Sequence, residues 1–394
     1  MRFFNKSNLI WQSFVISLLI ILLLSTGCQK KVTEVTECDP SWTPHDFFIS
    51  STKILRNGYV SKDNKFFVST LHSVYKLEPG DGNPTFCFES GHDTFTFQYK
   101  PPLSDSLAAH SWDHDRAVII RRLEGLGFTG GHYTGRYINL TDIDSTFTDK
   151  ARIAVWGMMD PIGAFNDQNQ FLTLVHQPAG TGVGELYFCR IDYRLTEQPD
   201  LYPSTGIEIT STQAFRPPLN LSVMRTINDC IAYQNRFFVG IGSGGSYLVE
   251  QTGEFRRLDF PHSAAQFFSH QDTLYALNDA LRLYRSLDVG DTWQKLARFS
   301  NTLRFYYIQG RLCANTLFQL WEIDLVNLVI NEIDNDGLSG NKILSVHEFD
   351  NRVYVLTLTG LFYRDMDDFF TYKPDDTEEK GMVNPGLYLQ GLSD

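Results

Sequence analysis

Closely spaced cysteines are absent from this 394-residue chain. Its six cysteines, Cys28, Cys38, Cys87, Cys189, Cys230 and Cys313, stand far apart, and no Cys-x-x-Cys or other near pair supplies the ligand spacing of a zinc cluster. With Cys28 set aside the remainder is odd in number. A disulfide could form after export, with a pairing that spacing leaves open, but buried thiols in strands are the simpler expectation. Basic residues are also short: 34 Lys and Arg against 46 Asp and Glu leave a formal charge of −12. Phosphate binding rests on clustered cations, so nucleic acid is not expected as a partner. No phosphate cradle is evident either. Gly240-Ile-Gly242-Ser-Gly244-Gly245 is followed by neither a helical pattern nor a Lys-Ser/Thr pair, and Pro178 to Gly184 reads the same way; both are expected to be hairpin turns, and no cofactor is implied.

Long apolar runs are missing as well. The single candidate, Phe14 to Leu24, is too short to cross a bilayer comfortably; preceded by Arg2 and Lys6, it has the shape of a secretory h-region. It stops at Ser25-Thr26-Gly27-Cys28, which resembles a bacterial lipobox with Ser25 at the usual Leu position. The resemblance implies cleavage of residues 1–27, acylation of Cys28 and a membrane held through that lipid. Gln29 is not the Asp that signals inner-membrane retention in some Gram-negative bacteria, so an outer-membrane lipoprotein facing the periplasm or the surface is expected. Residues 28–44, rich in Lys, Thr and Glu, read as a flexible tether, and 45–394 as the folded domain.

What the chain does contain is a repeat. Asp272–Gln294 laid over Asn351–Lys373 without a gap matches Tyr275 with Tyr354, Leu277 with Leu356, Tyr284 with Tyr363, Arg285 with Arg364, Asp288 with Asp367 and Thr292 with Thr371. The offset of about eighty residues is two units of about forty, the length of a four-stranded propeller blade. A third unit, from Gly310-Arg311-Leu312 to Leu320-Trp321, fits between them. Similar openings recur at Asn64-Lys65-Phe66, Asp115-Arg116-Ala117, Asn169-Gln170-Phe171 and Asn235-Arg236-Phe237. Seven openings predict an all-β, seven-bladed β-propeller, with six or eight blades left open by the diffuse boundaries of the first half. Enlarged loops are expected there, at Phe88–Ser111 and Gly125–His132. The ring is closed either by His45–Tyr59 or by the tail Asn384–Leu392.

Leu274, Leu277, Leu281 and Tyr284 have helix-like spacing, but the aligned copy Val353 to Thr359 is a run of β-formers ending at Gly360. Both copies therefore read as hairpins. The 30 Phe and 18 Tyr suit blades packed face to face, and little helix is expected.

Ser286-Leu-Asp288-Val-Gly290-Asp-Thr292-Trp293 has the Ser-x-Asp-x-Gly-x-Thr-Trp pattern of an Asp-box (BNR) turn, and the C-terminal half resembles Asp-box propellers such as sialidases, sortilin-type receptors and photosystem assembly factors. In that group the box lies between outer strands, away from the central channel. The resemblance gives Ser286, Asp288, Gly290, Thr292 and Trp293 a folding role, the Trp holding the loop against its own blade, and makes the second copy, with Asp365 for the Ser, Asp367 retained and Phe369 for the Gly, an eroded box.

Two other patches bear on activity. Phe215-Arg216-Pro217-Pro218 is similar to the sialidase Phe-Arg-Ile-Pro motif, whose Arg grips a carboxylate. Pro217 breaks the pattern, its place before the fourth opening is wrong for a first-blade motif, and no nucleophile pair or acid is marked by motif. His110-Ser-Trp112-Asp113-His114-Asp115 holds metal-ligating side chains, but strand alternation puts Trp112 and His114 on one face and Asp113 and Asp115 on the other. His110, His114 and Arg216 remain the only ligand candidates. The expectation is a lipid-anchored envelope propeller that binds protein or glycan partners without catalysis; the alternative is a sialidase-like glycoside hydrolase.

Overall fold

The structure, a computed structural model, describes residues 41–49, 54–61, 64–70, 73–80, 82–89, 95–97, 107–112, 116–122, 136–153, 163–178, 184–196, 206–216, 227–242, 244–338, 340–373 and 390–391. Among the described residues the strands assemble into seven antiparallel sheets, denoted I to VII in chain order. Sheet I pairs Leu55–Val60, Phe66–Thr70, Ser73–Leu77 and Thr85–Glu89. Sheets II to VI start from the inner strands Phe95–Phe97, Gly163–Phe165, Ile227–Tyr233, Ala264–His270 and Arg304–Ile308, each followed by three more strands in sequence order. In sheet VII, Ile343–Phe349, Arg352–Thr357 and Gly360–Asp365 are completed on the outside by Thr43–Pro44 from the other end of the chain. Inner strands of successive sheets lie side by side, and the last lies beside the first. The chain is an all-β propeller.

The turns explain why the sequence folds this way. Gln234 and Asn235, Gln271 and Asp272, Gln309 and Gly310, and Asp350 and Asn351 all have positive φ. Two adjacent left-handed residues make the tight hairpin whose twist matches that of the strands it joins. Six of the seven predicted openings therefore fall between the first and second strands of a sheet. The opening at Asp115 is displaced by one hairpin, joining Leu107–Trp112 to Ala117–Arg122 in the middle of sheet II. Its true first strand, Phe95–Phe97, lies inside the stretch read as an enlarged loop, Phe88–Ser111. Alternation at Phe95, Phe97 and Tyr99 is the sequence signal for it.

The core lies between sheets. Phe268 of sheet V stacks on Tyr275 at 5.1 Å and on Phe305 of sheet VI at 4.2 Å. Phe66 of sheet I meets Phe349 and Tyr354 of sheet VII at 5.6 and 5.2 Å. Cys87, Cys189, Cys230 and Cys313 are buried free thiols. Burial pushes the Cys87 thiol up to about 12 and raises Cys189 and Cys313 as well, which disfavours the reactive thiolate in all three. Among the described residues helix is confined to Asp46–Ile49, Leu140–Ile143 and Met366–Phe369, and none there is long and apolar enough to cross a membrane.

The folded unit begins at Ser41, not at His45. Trp42, assigned to the tether, is 1% exposed; it packs edge-on to Phe369 at 6.2 Å, and its Nε1 donates to the Asp334 carbonyl at 3.2 Å. Ring closure falls to Thr43–Pro44, just before the first segment expected to provide it. The tail does something else: Gln390–Gly391 pairs with the outer strand of sheet V.

Candidate functional site

The inner strands enclose a channel of about 1040 Å³. In four of them the pairing slips by one residue, leaving Arg56, Asn228, Ala265 and Leu344 as bulges on its wall. A bulge re-aims the side chains that follow it. Next in each strand stands a polar residue: Asn57, Asp229, Gln266 and Ser345.

Several of the polar side chains on this wall bind the backbone of a neighbouring sheet. The Phe267 amide donates to Asp229 Oδ2 at 2.6 Å, while Asn228 Nδ2 donates to the Ala264 carbonyl at 3.3 Å, joining sheet IV to sheet V. With its amide nitrogen toward Leu303, Gln266 donates to that carbonyl at 2.9 Å and accepts from the Phe305 amide at 3.1 Å, joining V to VI. Arg304 Nη1 donates to the Leu344 carbonyl at 2.9 Å, joining VI to VII. At the opposite end of the strands the Gln309 amide donates to Glu348 at 2.6 Å and the Gly80 amide to Asp350 at 2.8 Å. These polar groups are thus spent on holding one sheet to the next.

The seam between sheets VII and I is different. His347 packs on Phe66 at 5.4 Å and directly against Gly58, where a Cβ would lie 2.7 Å from Nε2. Ser345 Oγ and His347 Nε2 are both buried without a hydrogen-bond partner. Burial pulls the His347 imidazole down to about 3, so it is neutral near pH 7.

Sequence reading misses these residues because a lone Asp or Gln in an apolar run carries no motif. Only stacking the repeats, which aligns Asn57, Asp229, Gln266 and Ser345, exposes the shared polar position.

The Ser286–Trp293 turn joins the third and fourth strands of sheet V, Arg282–Ser286 and Gln294–Arg298. Asp288 Oδ1 accepts from Ser286 Oγ and the Thr292 amide, both at 2.8 Å, and its Oδ2 accepts from Thr292 Oγ1 at 2.6 Å. The Gly290 amide donates to Ser286 Oγ at 2.7 Å. Bonds from Thr292 hold the Asp288 carboxyl down at about 2. Gly290 has φ +87°, and a Cβ there would lie 2.5 Å from Phe238 of sheet IV. Trp293 packs on Phe260 at 5.1 Å and Phe267 at 6.3 Å, so it fastens the loop over the junction of sheets IV and V and not to its own sheet alone.

The second copy departs further. Asp367 sits in the helix Met366–Phe369, and the fully buried Phe369 replaces the glycine. A large side chain at that point cannot take the left-handed turn cheaply, and one helical turn stands where the first copy has Gly290.

Arg216 directly follows the outer strand of sheet III, Ile207–Phe215. Its Nη2 lies 2.6 Å from Glu185 Oε1, and Tyr187 OH donates to Glu185 Oε2 at 2.6 Å. Arginine, carboxylate and tyrosine are therefore together, but none lines the channel. Burial and Glu185 push the Tyr187 phenol up to about 12, the wrong direction for a nucleophile. His110 lies in the strand Leu107–Trp112, opposite Ile119; its side chain, His114 and Cys28 lie outside the described residues. Among the described residues no group of three His, Cys, Asp or Glu is placed to hold a metal.

No protein-family model matches the sequence, and no curated protein is similar to it at a significant level. Solved structures are similar in shape. Virginiamycin B lyase from Staphylococcus aureus, in a catalytically inactive form with quinupristin, is 10% identical with a TM-score of 0.49 over 79% of this chain and 94% of that one. The WD40 propeller domain of Doa1 is 9% identical with a TM-score of 0.48 over 82% and 96%. PorZ, a surface component of the type-IX secretion system of Porphyromonas gingivalis, is 10% identical with a TM-score of 0.44; the match spans 90% of this chain and 39% of PorZ. These neighbours are β-propellers, the architecture that the sheets of this chain build.

Proposed function

We propose that this chain is a lipid-anchored envelope module that binds or scaffolds protein or glycan partners and carries out no chemistry on them. The observation that supports this reading is the use of the channel's polar groups. Asp229, Gln266, Arg304, Glu348 and Asp350 bind backbone of the adjoining sheets. A hydrolytic site needs carboxylates free to reach a substrate and a nucleophile lowered toward neutral pH. The anchor reading rests on the lipobox-like Ser25-Thr26-Gly27-Cys28, and the Ser286–Trp293 turn is assigned a folding role. Tagged protein recovered from its native envelope in mild detergent should carry a stoichiometric partner, and Cys28→Ala should release it from the membrane fraction. Recovery of the chain alone, with turnover of fluorogenic sialosides lost in Arg216→Ala, would replace this reading with the hydrolase.

A further inference from the structure

The outer strand of sheet V, Gln294–Arg298, carries a fifth strand on its solvent side. Ala297 stands opposite Gly391, and Arg298 opposite Gln390. Ring closure does not require this pairing, because Thr43–Pro44 already completes sheet VII. The fifth strand therefore occupies an edge whose N–H and C=O groups are a ready template for another extended segment. The described pairing covers two residue pairs. Lys295 and Arg298 are exposed on this edge, Leu296 is half-buried and Ala297 is buried.

We infer that the outer edge of sheet V is a strand-acceptor surface for an extended segment of a partner protein, and that the C-terminal segment occupies it in cis. The sequence leading into Gln390–Gly391 indicates what fits. Gly386-Leu387-Tyr388-Leu389-Gln390-Gly391 alternates, with Leu387 and Leu389 two apart, the period a strand presents on one face. Main-chain pairing supplies affinity in this mode, and alternate side chains supply selectivity. Lys295 and Arg298 add a demand that the tail meets poorly, since its one carboxylate side chain after Gln390 is Asp394. A partner segment with the same alternation and carboxylates facing those cations displaces the tail. The inference rests on the binding-module reading and names the surface and the class of partner.

The test uses the full chain. A fluorescein-labelled peptide of residues 384–394 is titrated by fluorescence polarisation against wild type and against Gly391→Pro, which removes an amide and frees the edge. A tethered tail competes at an effective concentration on the order of millimolar. The variant should bind the peptide at least about ten-fold tighter than wild type, and a peptide carrying Gln390→Asp and Ser393→Asp should bind tighter still. Lys295→Glu with Arg298→Glu should reverse that last gain. Amide exchange across Gln294–Arg298 should quicken in Gly391→Pro and slow again with peptide. Gln390→Pro gives a second way to free the edge if the first variant folds poorly. Equal binding by wild type and variants, no binding by either, or unchanged exchange overturns the inference. Failure here alongside a partner in the envelope pull-down would reject the edge alone; absence of any envelope partner would reject the binding-module reading instead.

Discussion

Gln266 offers the sharpest test of the idea that channel polarity holds the ring together. It is 8% exposed and serves two backbone groups of sheet VI, the Leu303 carbonyl and the Phe305 amide. Gln266→Leu keeps the volume and strands both. A buried unsatisfied polar group costs about 1–3 kcal/mol, so a loss of about 2–4 kcal/mol is expected, less than the sum because water can reach one of the two. Gln266→Glu separates the two bonds. An ionised carboxylate still accepts from Phe305 but faces the Leu303 carbonyl with no proton to offer, so its folded-state pKa must rise above the ordinary value of about 4.3. The acid form can donate to Leu303. A carboxyl raised in the folded state contributes its stability at low pH and loses it as pH rises through the folded value. Relative to wild type, the Glu variant should be weaker by about 1 kcal/mol at pH 4 and about 3 kcal/mol at pH 8, read from urea midpoints with unchanged slopes. A deficit that does not change with pH, or a Leu variant within about 0.5 kcal/mol of wild type, refutes the bridge.

The Ser286–Trp293 turn, the buried histidine and the closing strand each give a further test. Gly290→Val should cost about 2–4 kcal/mol, since it adds left-handed strain to a clash with Phe238; partial recovery in a Gly290→Val/Phe238→Leu double variant, followed by thermal unfolding, would apportion the two. A Val that costs nothing would show that the turn tolerates a side chain there. His347, held neutral down to about pH 3, has a folded pKa below its unfolded value of about 6.5, so its contribution to stability is complete above pH 6.5 and falls as pH drops toward 3. Between pH 7 and 4 this loss should reach at most about 3 kcal/mol. His347→Gln should flatten that part of the acid unfolding profile; an unchanged profile would place the acid sensitivity elsewhere. Trp42→Ala should cost about 3–5 kcal/mol by opening a cavity beside Phe369, and a chain starting at His45 should be weakened at least as much. Identical melting of the chains starting at residues 41 and 45 would show that Thr43–Pro44 contributes nothing to closure.

Much of the fold is legible in the sequence because it is written in turns. A residue pair such as Gln271-Asp272 or Asp350-Asn351 can take the left-handed conformation that a tight hairpin needs, and it recurs at a spacing set by the length of four strands. Where the punctuation is weak, so is the reading. The second strand of sheet II follows the longer run Pro101-Pro102-Leu103-Ser104-Asp105-Ser106 and not a compact pair such as Gln271-Asp272, so the opening found at Asp115 falls one hairpin late and Phe95–Phe97 reads as loop. Trp42 is lost for another reason. Its neighbours are polar, and a single aromatic in a polar stretch shows no period; only the far end of the chain, through Phe369 and Asp334, gives it a place.

The site is less legible because polar residues in the channel answer to sheets distant in sequence. Asp229 serves Phe267 and Arg304 serves Leu344, each some forty residues away, the length of one repeat. A sequence window sees only an acid or a base interrupting an apolar strand, which reads equally well as a catalytic group or a ligand contact. The structure separates these cases through what each polar atom already binds. By that criterion the channel wall is mostly occupied between sheets IV and VII, and it is left incomplete between VII and I, where Ser345 Oγ and His347 Nε2 have no hydrogen-bond partner. Under the binding-module reading, recognition falls to surfaces that ring closure does not consume. Among the described residues, the outer edge of sheet V is such a surface, and Gln390–Gly391 already pairs with it.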